Sequence, residues 1–170
     1  DSYSFTRGGA KVTQYVHNAI TGPFYRSKYC VDGSPCGLTD YDFTGTEFRR
    51  TTLAYYDDCD FQVKFYTEGV TTLEGGKSCL LINVPAYEEG WSVHVTEYSV
   101  KVKDADRVFR TDPDYTAEYA ANNNFASANT STVNPVKNSH MFEYVPSNPN
   151  ARIVLTVTGA DGSKYRKQIN

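Results

Sequence analysis

Arg152-Ile153-Val154-Leu155-Thr156-Val157-Thr158 places apolar residues at 153, 155 and 157, a period of two. An extended chain points successive side chains to opposite faces, so this pattern buries one face of a strand and wets the other. Ala160-Asp161-Gly162-Ser163 follows, and Lys164–Ile169 runs back. Asp-Gly between two such runs predicts a β-hairpin, because both residue types tolerate the positive φ that tight hairpin turns require. Trp91-Ser92-Val93-His94-Val95-Thr96 alternates in the same way.

Strand-like runs recur through the rest of the chain, at Lys11–Val16, Glu47–Tyr56, Phe61–Tyr66, Cys79–Val84, Trp91–Glu97, Ser99–Lys103 and Met141–Val145. Helical periodicity is nearly absent. The exception is Asp112-Pro113-Asp114-Tyr115-Thr116-Ala117-Glu118-Tyr119-Ala120-Ala121, where Asp112 suits an N-cap and Pro113 the first turn. Asn122-Asn123-Asn124 stops that helix, and a Ser-, Thr- and Asn-rich stretch to Asn138 reads as a loop. Many short strands with regular turn signals predict an all-β fold, an antiparallel β-sandwich with one short helix near 113–121. At 170 residues the chain can bury a core without staples. It reads as a single β-rich domain over 1–170, with a subdivision point near 69–77 where Leu73-Glu74-Gly75-Gly76 separates two β-rich halves.

A net charge of −3 argues against nucleic acid as a partner, because neutralising phosphates needs a basic stripe. The compact basic group Lys164, Arg166 and Lys167 suits a charged edge strand that deters pairing with other chains. No apolar run approaches the length of a membrane span. The chain opens on Asp1 and its one Met is Met141, so the numbering is expected to begin at a processing boundary.

Residues able to carry chemistry are few. Cysteines at 30, 36, 59 and 79 permit three pairings if all are bridged. Cys30 and Cys36 flank a Gly-Ser-Pro turn and suit a local bridge. Cys59 and Cys79 lie beside strand runs and suit a bridge across a sheet, while Cys79, before Leu80-Leu81-Ile82, equally suits a free core thiol. The histidines 17, 94 and 140 are far apart and no CxxC pair exists, which argues against zinc. Asp57, Asp58 and Asp60 lack the spacing and glycine of a calcium loop and read as a solvated turn. The fourteen tyrosines, and Trp91 as the one tryptophan, suit half-buried strands, and they also suit a carbohydrate platform. His17 and Trp91 are the binding candidates; no catalytic residue, metal ligand or cofactor is assigned.

An ordered set of segments carries a resemblance. These are Val16-His17-Asn18-Ala19-Ile20-Thr21-Gly22, Asp32-Gly33-Ser34-Pro35-Cys36-Gly37, Glu47–Tyr56, Phe61–Tyr66, Leu81–Val84, Trp91–Glu97, Asp112-Pro113, Ser139–Phe142 and the final hairpin. Together the chain resembles the C-terminal region of secreted calcineurin-like phosphoesterases of Bacteroides-type bacteria. In that family the metal-binding core lies N-terminal to this region and carries Asp-x-His, Gly-Asp, Gly-Asn-His-Glu and Gly-His-x-His motifs, none of which occurs here. The likeness implies a non-catalytic accessory domain that packs on a metal-dependent catalytic domain of the same polypeptide and shapes substrate access. It also implies a secreted, periplasmic or cell-surface location. A carbohydrate-binding β-sandwich module is the alternative.

Overall fold

The computed structural model describes residues 2–23, 27–55, 64–66, 79–122, 133–147 and 151–169. Its strands are β1 (Ser2–Arg7), β2 (Ala10–Tyr15), β3 (Gly37–Thr44), β4 (Glu47–Ala54), β5 (Lys64–Tyr66), β6 (Leu80–Asn83), β7 (Ser92–Glu97), β8 (Val100–Asp104), β9 (Asp106–Thr111), β10 (Lys137–Tyr144), β11 (Ile153–Thr158) and β12 (Lys164–Ile169). One helix, α1 (Pro113–Ala121), lies between β9 and β10. The fold is all-β and antiparallel, as the alternating runs predict. The chain divides into two compact units, Asp1–Gln62 with Arg110–Asn138, and Val63–Phe109 with Ser139–Asn170.

The second unit is built on two four-stranded sheets, ordered β5-β6-β10-β9 and β12-β11-β7-β8. Alternation decides which side chains enter its core. Ile153, Leu155 and Val157 of β11 are buried, and they pair with Glu97, Val95 and Val93 of β7, which are buried too. In the other sheet Tyr144 pairs with Leu80 and Phe142 with Ile82, and all four are buried. β6 is buried along its whole length, which explains why Leu80-Leu81-Ile82 is apolar at consecutive positions instead of alternating. The predicted terminal hairpin forms, with Gly162 at φ 82° and Asp161 Oδ1 accepting from Ser163 N at 2.9 Å. β12 is an edge strand, and its exposed Lys164, Arg166 and Lys167 lie where a charged edge is useful.

The first unit has two separate hairpins, β1–β2 and β3–β4, together with α1 and the turn around residues 29–35. Asp112 caps α1 as expected, its Oδ1 accepting from Tyr115 N at 2.9 Å, with Pro113 in the first turn. Tyr115 is fully buried with Val133, and Tyr29, Val31 and Tyr119 pack around them. The buried Tyr115 hydroxyl donates to Val133 O at 2.6 Å, so its polar end is satisfied.

Three strands exceed the sequence reading. β1 and β3 were absent from it, and β9 follows β8 after the single residue Ala105. In β3 the residues Thr39, Asp40 and Asp42 dilute the apolar signal, and strand formation there rests on pairing with β4 from Gly37↔Ala54 to Thr44↔Glu47. The expected loop from 122 to 138 ends early, because β10 begins at Lys137; residues 123–132 lie outside the described residues, as do 69–77 and the Asp57, Asp58, Asp60 cluster.

Candidate functional site

Strand parity sorts β3–β4 into two faces. One carries Tyr41 and Phe43 from β3 and Phe48 and Arg50 from β4, with Phe43 opposite Phe48 and Tyr41 opposite Arg50. Tyr15, at the end of β2, joins them. Its ring meets Phe48 edge-on at 5.4 Å and Tyr41 at 6.4 Å, and Arg50 lies 5.1 Å above it. Tyr41 stacks on Phe43 at 6.2 Å, and Phe43 lies 5.7 Å from Phe48. His17 borders the group, with Nε2 3.2 Å from the Tyr41 hydroxyl and the rings 5.4 Å apart. The rings contact one another, with Tyr15 and Tyr41 half-buried and the two phenylalanines in water. Phe43 is 70% exposed and Phe48 40%, and the other face of the hairpin adds exposed Leu38 and Leu53. The neighbouring β1–β2 hairpin is exposed from Ser4 to Gln14, including Phe5 and Val12. Solitary exposed apolar residues are ordinary; contiguous aromatic ones mark a surface that meets something.

Several chemistry-bearing groups described elsewhere in the first unit are tied into its backbone and side-chain hydrogen bonds. Ser27 donates to Glu118 Oε2 at 3.0 Å, and Asn138 Nδ2 donates to Asp32 O at 2.8 Å. The Asp32–Leu38 segment turns through Gly33 at φ 80°, packed against Asp112, with Asp32 Oδ1 accepting from Ser34 N at 2.9 Å. Cys30 and Cys36 flank that turn with their thiols in hydrogen-bonding contact.

In the second unit the notable polar group is Glu97, 4% exposed and on the core face of β7. Its carboxylate accepts from the Tyr144 hydroxyl at 3.1 Å, from Ser147 N at 2.8 Å and from Ser147 Oγ. Burial pushes its pKa up, but these donors outweigh burial and hold it below the ordinary glutamate value. Burial pushes the Tyr144 hydroxyl up to about 12, and the adjacent carboxylate acts in the same direction. His140 is buried, with Nδ1 2.7 Å from Asn83 Oδ1. His94, on the outer face of β7, pairs with Asp104, and Asp106 pairs with Lys103 at 2.7 Å.

The binding candidates fall in different units. His17 is in the first, exposed beside Tyr41. Trp91 is in the second, half-buried, edge-on to Tyr87 at 6.4 Å and close over Gly159. Tyr87 in turn meets Phe142 at 5.0 Å and lies under Arg107 at 4.5 Å, so Trp91 belongs to a packed ring system. Cys79 is a buried thiol at the start of β6, and Cys59 lies outside the described residues. Among the described residues no three His, Cys, Asp or Glu side chains come together as a metal-binding set. No described helix is long and apolar enough to cross a membrane.

Sequence reading missed Tyr15, Tyr41, Phe43 and Phe48 as a site. The signal was present as Tyr41-x-Phe43, a turn at Gly45, and Phe48, which is aromatic alternation across a hairpin. No curated protein and no solved structure matches the chain. A family model described as the C terminal of calcineurin-like phosphoesterase matches residues 14–165, which takes in the end of β2, all of β3 to β11 and the aromatic face, and the chain belongs to that family.

Proposed function

We propose that this C-terminal domain is a non-catalytic accessory module that docks on the catalytic phosphoesterase domain of its polypeptide through the aromatic face of β2, β3 and β4. The observation that carries the reading is the run of ring contacts through Tyr15, Tyr41, Phe43 and Phe48, in which Tyr15 and Tyr41 are half-buried and Phe43 and Phe48 stand exposed. Apolar surface left in water costs about 25 cal/mol per Å², and a neighbouring domain removes that cost. A lone two-stranded hairpin is marginal in water, so the exposed β1–β2 and β3–β4 hairpins also gain from a cover. Membership of a family described as the C terminal of calcineurin-like phosphoesterase supports the catalytic domain as that neighbour. A hairpin held against a catalytic domain is also placed to shape access to its substrate.

Two measurements test this. The isolated chain, assayed with manganese and an aryl phosphate, is expected to show no metal-dependent turnover; robust turnover would overturn the non-catalytic reading. The separately expressed catalytic domain is expected to bind the chain in calorimetry, and Phe43→Ser with Phe48→Ser to abolish that binding. The carbohydrate alternative rests on the tyrosine richness and on Trp91, whose ring is engaged with Tyr87 and lies close to Gly159. A secreted, periplasmic or cell-surface location belongs to the same reading through the likeness to secreted enzymes, and fractionation of the native host checks it.

A further inference from the structure

We infer that Cys30 and Cys36 are joined by an intrachain disulfide when the protein meets a disulfide oxidant, and that this bond locks the turn which positions the N-terminus of α1. The inference stands apart from the docking reading, because it concerns neither the aromatic face nor the catalytic domain.

The backbone brings the two residues together. Tyr29 and Pro35 form an antiparallel bridge, Cys30 N donates to Ser34 O at 2.7 Å, and Cys36 N donates to Lys28 O at 2.9 Å. In such a ladder residues 30, 34 and 36 share one side, so the two side chains are diagonal neighbours. The Cys30 thiol donates to the Cys36 sulfur, and the Cys36 thiol in turn donates to Ser27 O at 3.8 Å. The turn between them is held from several directions. Gly33 N donates to Cys30 O at 2.9 Å, Asp32 Oδ1 caps Ser34 N, and Val136 N donates to Val31 O at 3.0 Å. The ladder's backbone hydrogen bonds, and not chance approach of two mobile side chains, hold the two residues near each other.

Burial raises both thiols, Cys30 to about 12, with the Asp32 carboxylate adding to the effect. A thiolate here is disfavoured, whereas a disulfide carries no charge to desolvate. That combination gives a slow-forming but persistent structural bond, the opposite of a reactive low-pKa redox pair. Cys30 is the more exposed partner, while Cys36 is 1% exposed. Cys30, as thiolate, attacks the oxidant disulfide and expels one thiol. Cys36, having lost its proton, then attacks the Cys30 sulfur and expels the second. Two protein thiols and one small disulfide thereby become one protein disulfide and two small thiols, with two electrons passing to the oxidant.

The test uses the intact protein incubated with oxidised glutathione, then alkylated, digested with trypsin and weighed. Cleavage after Lys28 and Arg49 leaves both cysteines in one peptide, Tyr29–Arg49. The expected peptide is lighter by two hydrogen atoms and takes no alkyl group, and reduction restores two alkylation sites. Its formation is expected to quicken about tenfold per pH unit across the neutral range, following the thiolate fraction. The urea midpoint of the oxidised protein is expected to exceed that of the reduced protein, and Cys30→Ser to abolish the difference without disturbing the buried Cys36. Two alkylated cysteines after oxidation would overturn the inference. So would glutathione adducts that never resolve, a bridge from either residue to Cys59 or Cys79, or an oxidised midpoint equal to the reduced one.

Discussion

Gly33→Ala separates two effects that a glycine in a turn can hide. At φ 80° the backbone lies in the left-handed region, where a Cβ costs about 1–2 kcal/mol. The added Cβ would also lie within 2.5 Å of Asp112 Oδ2, and closer still to that residue's Cβ and Cγ. Asp112 is 1% exposed and cannot swing into water; moving it gives up the cap on Tyr115 N, worth about 1 kcal/mol. Overpacking adds about 1 kcal/mol or more, and the reduced freedom of the unfolded chain offsets about 0.5 kcal/mol. The sum is about 3 kcal/mol of destabilisation. Gly45→Ala is the control, because Gly45 also has positive φ, at 63°, but nothing lies within 4 Å of its Cβ position. It should cost about 1 kcal/mol. Urea denaturation followed by circular dichroism measures both, with m unchanged if the denatured state is the same. The expected gap between the two variants is about 2 kcal/mol. Equal midpoints for the two alanines would refute the argument that the Gly33 turn is pressed against the helix cap.

Other predictions concern the second unit. Leu155→Ala, at a fully buried position between Val95 of β7 and Lys167 of β12, should cost about 2–5 kcal/mol in the same assay. Glu97 has a folded pKa below its unfolded value, so its stabilising contribution is present above the ordinary glutamate pKa of about 4.3 and is lost as pH falls through the folded value. Glu97→Gln should therefore flatten the acid limb of the stability profile, and Tyr144→Phe, which removes one donor to that carboxylate, should move part of the way. Phe43→Ser should change the stability of the domain by no more than about 0.5 kcal/mol, because the ring is 70% exposed. The same change should weaken binding of the catalytic domain. Covering the roughly 140 Å² that a mostly exposed Phe ring offers is worth about 3 kcal/mol, on the order of a hundredfold in Kd.

Legibility in the sequence followed the range of the interaction that shapes each element. Residues 153, 155 and 157 alternate visibly, and the Asp161-Gly162 turn and the Asp112-Pro113 helix start are local signals, so β11, β12 and α1 were readable. β3 depends on partners in β4 with which it shares eight registered pairs, and its acidic residues mask the Tyr41 and Phe43 face. Glu97 in the core contradicts the rule that charges face water. Its donors, Tyr144 and Ser147, are 47 and 50 residues away, a pairing that no short window shows. Tyr15's place in the aromatic face was missed for the same reason, since it reaches Tyr41 and Phe48 through the fold alone. The resemblance was legible because it spreads over ordered segments, and the family match over 14–165 bears out its family assignment.

Hydrogen exchange measured on the polypeptide that carries both domains, and again on this chain alone, tests the docking claim most directly. The account predicts that amides of Tyr41–Arg50 and of the β2 end near Tyr15 exchange more slowly when the catalytic domain is attached, and that Phe43→Ser with Phe48→Ser removes the difference. Identical exchange of β2, β3 and β4 in the two forms would contradict it.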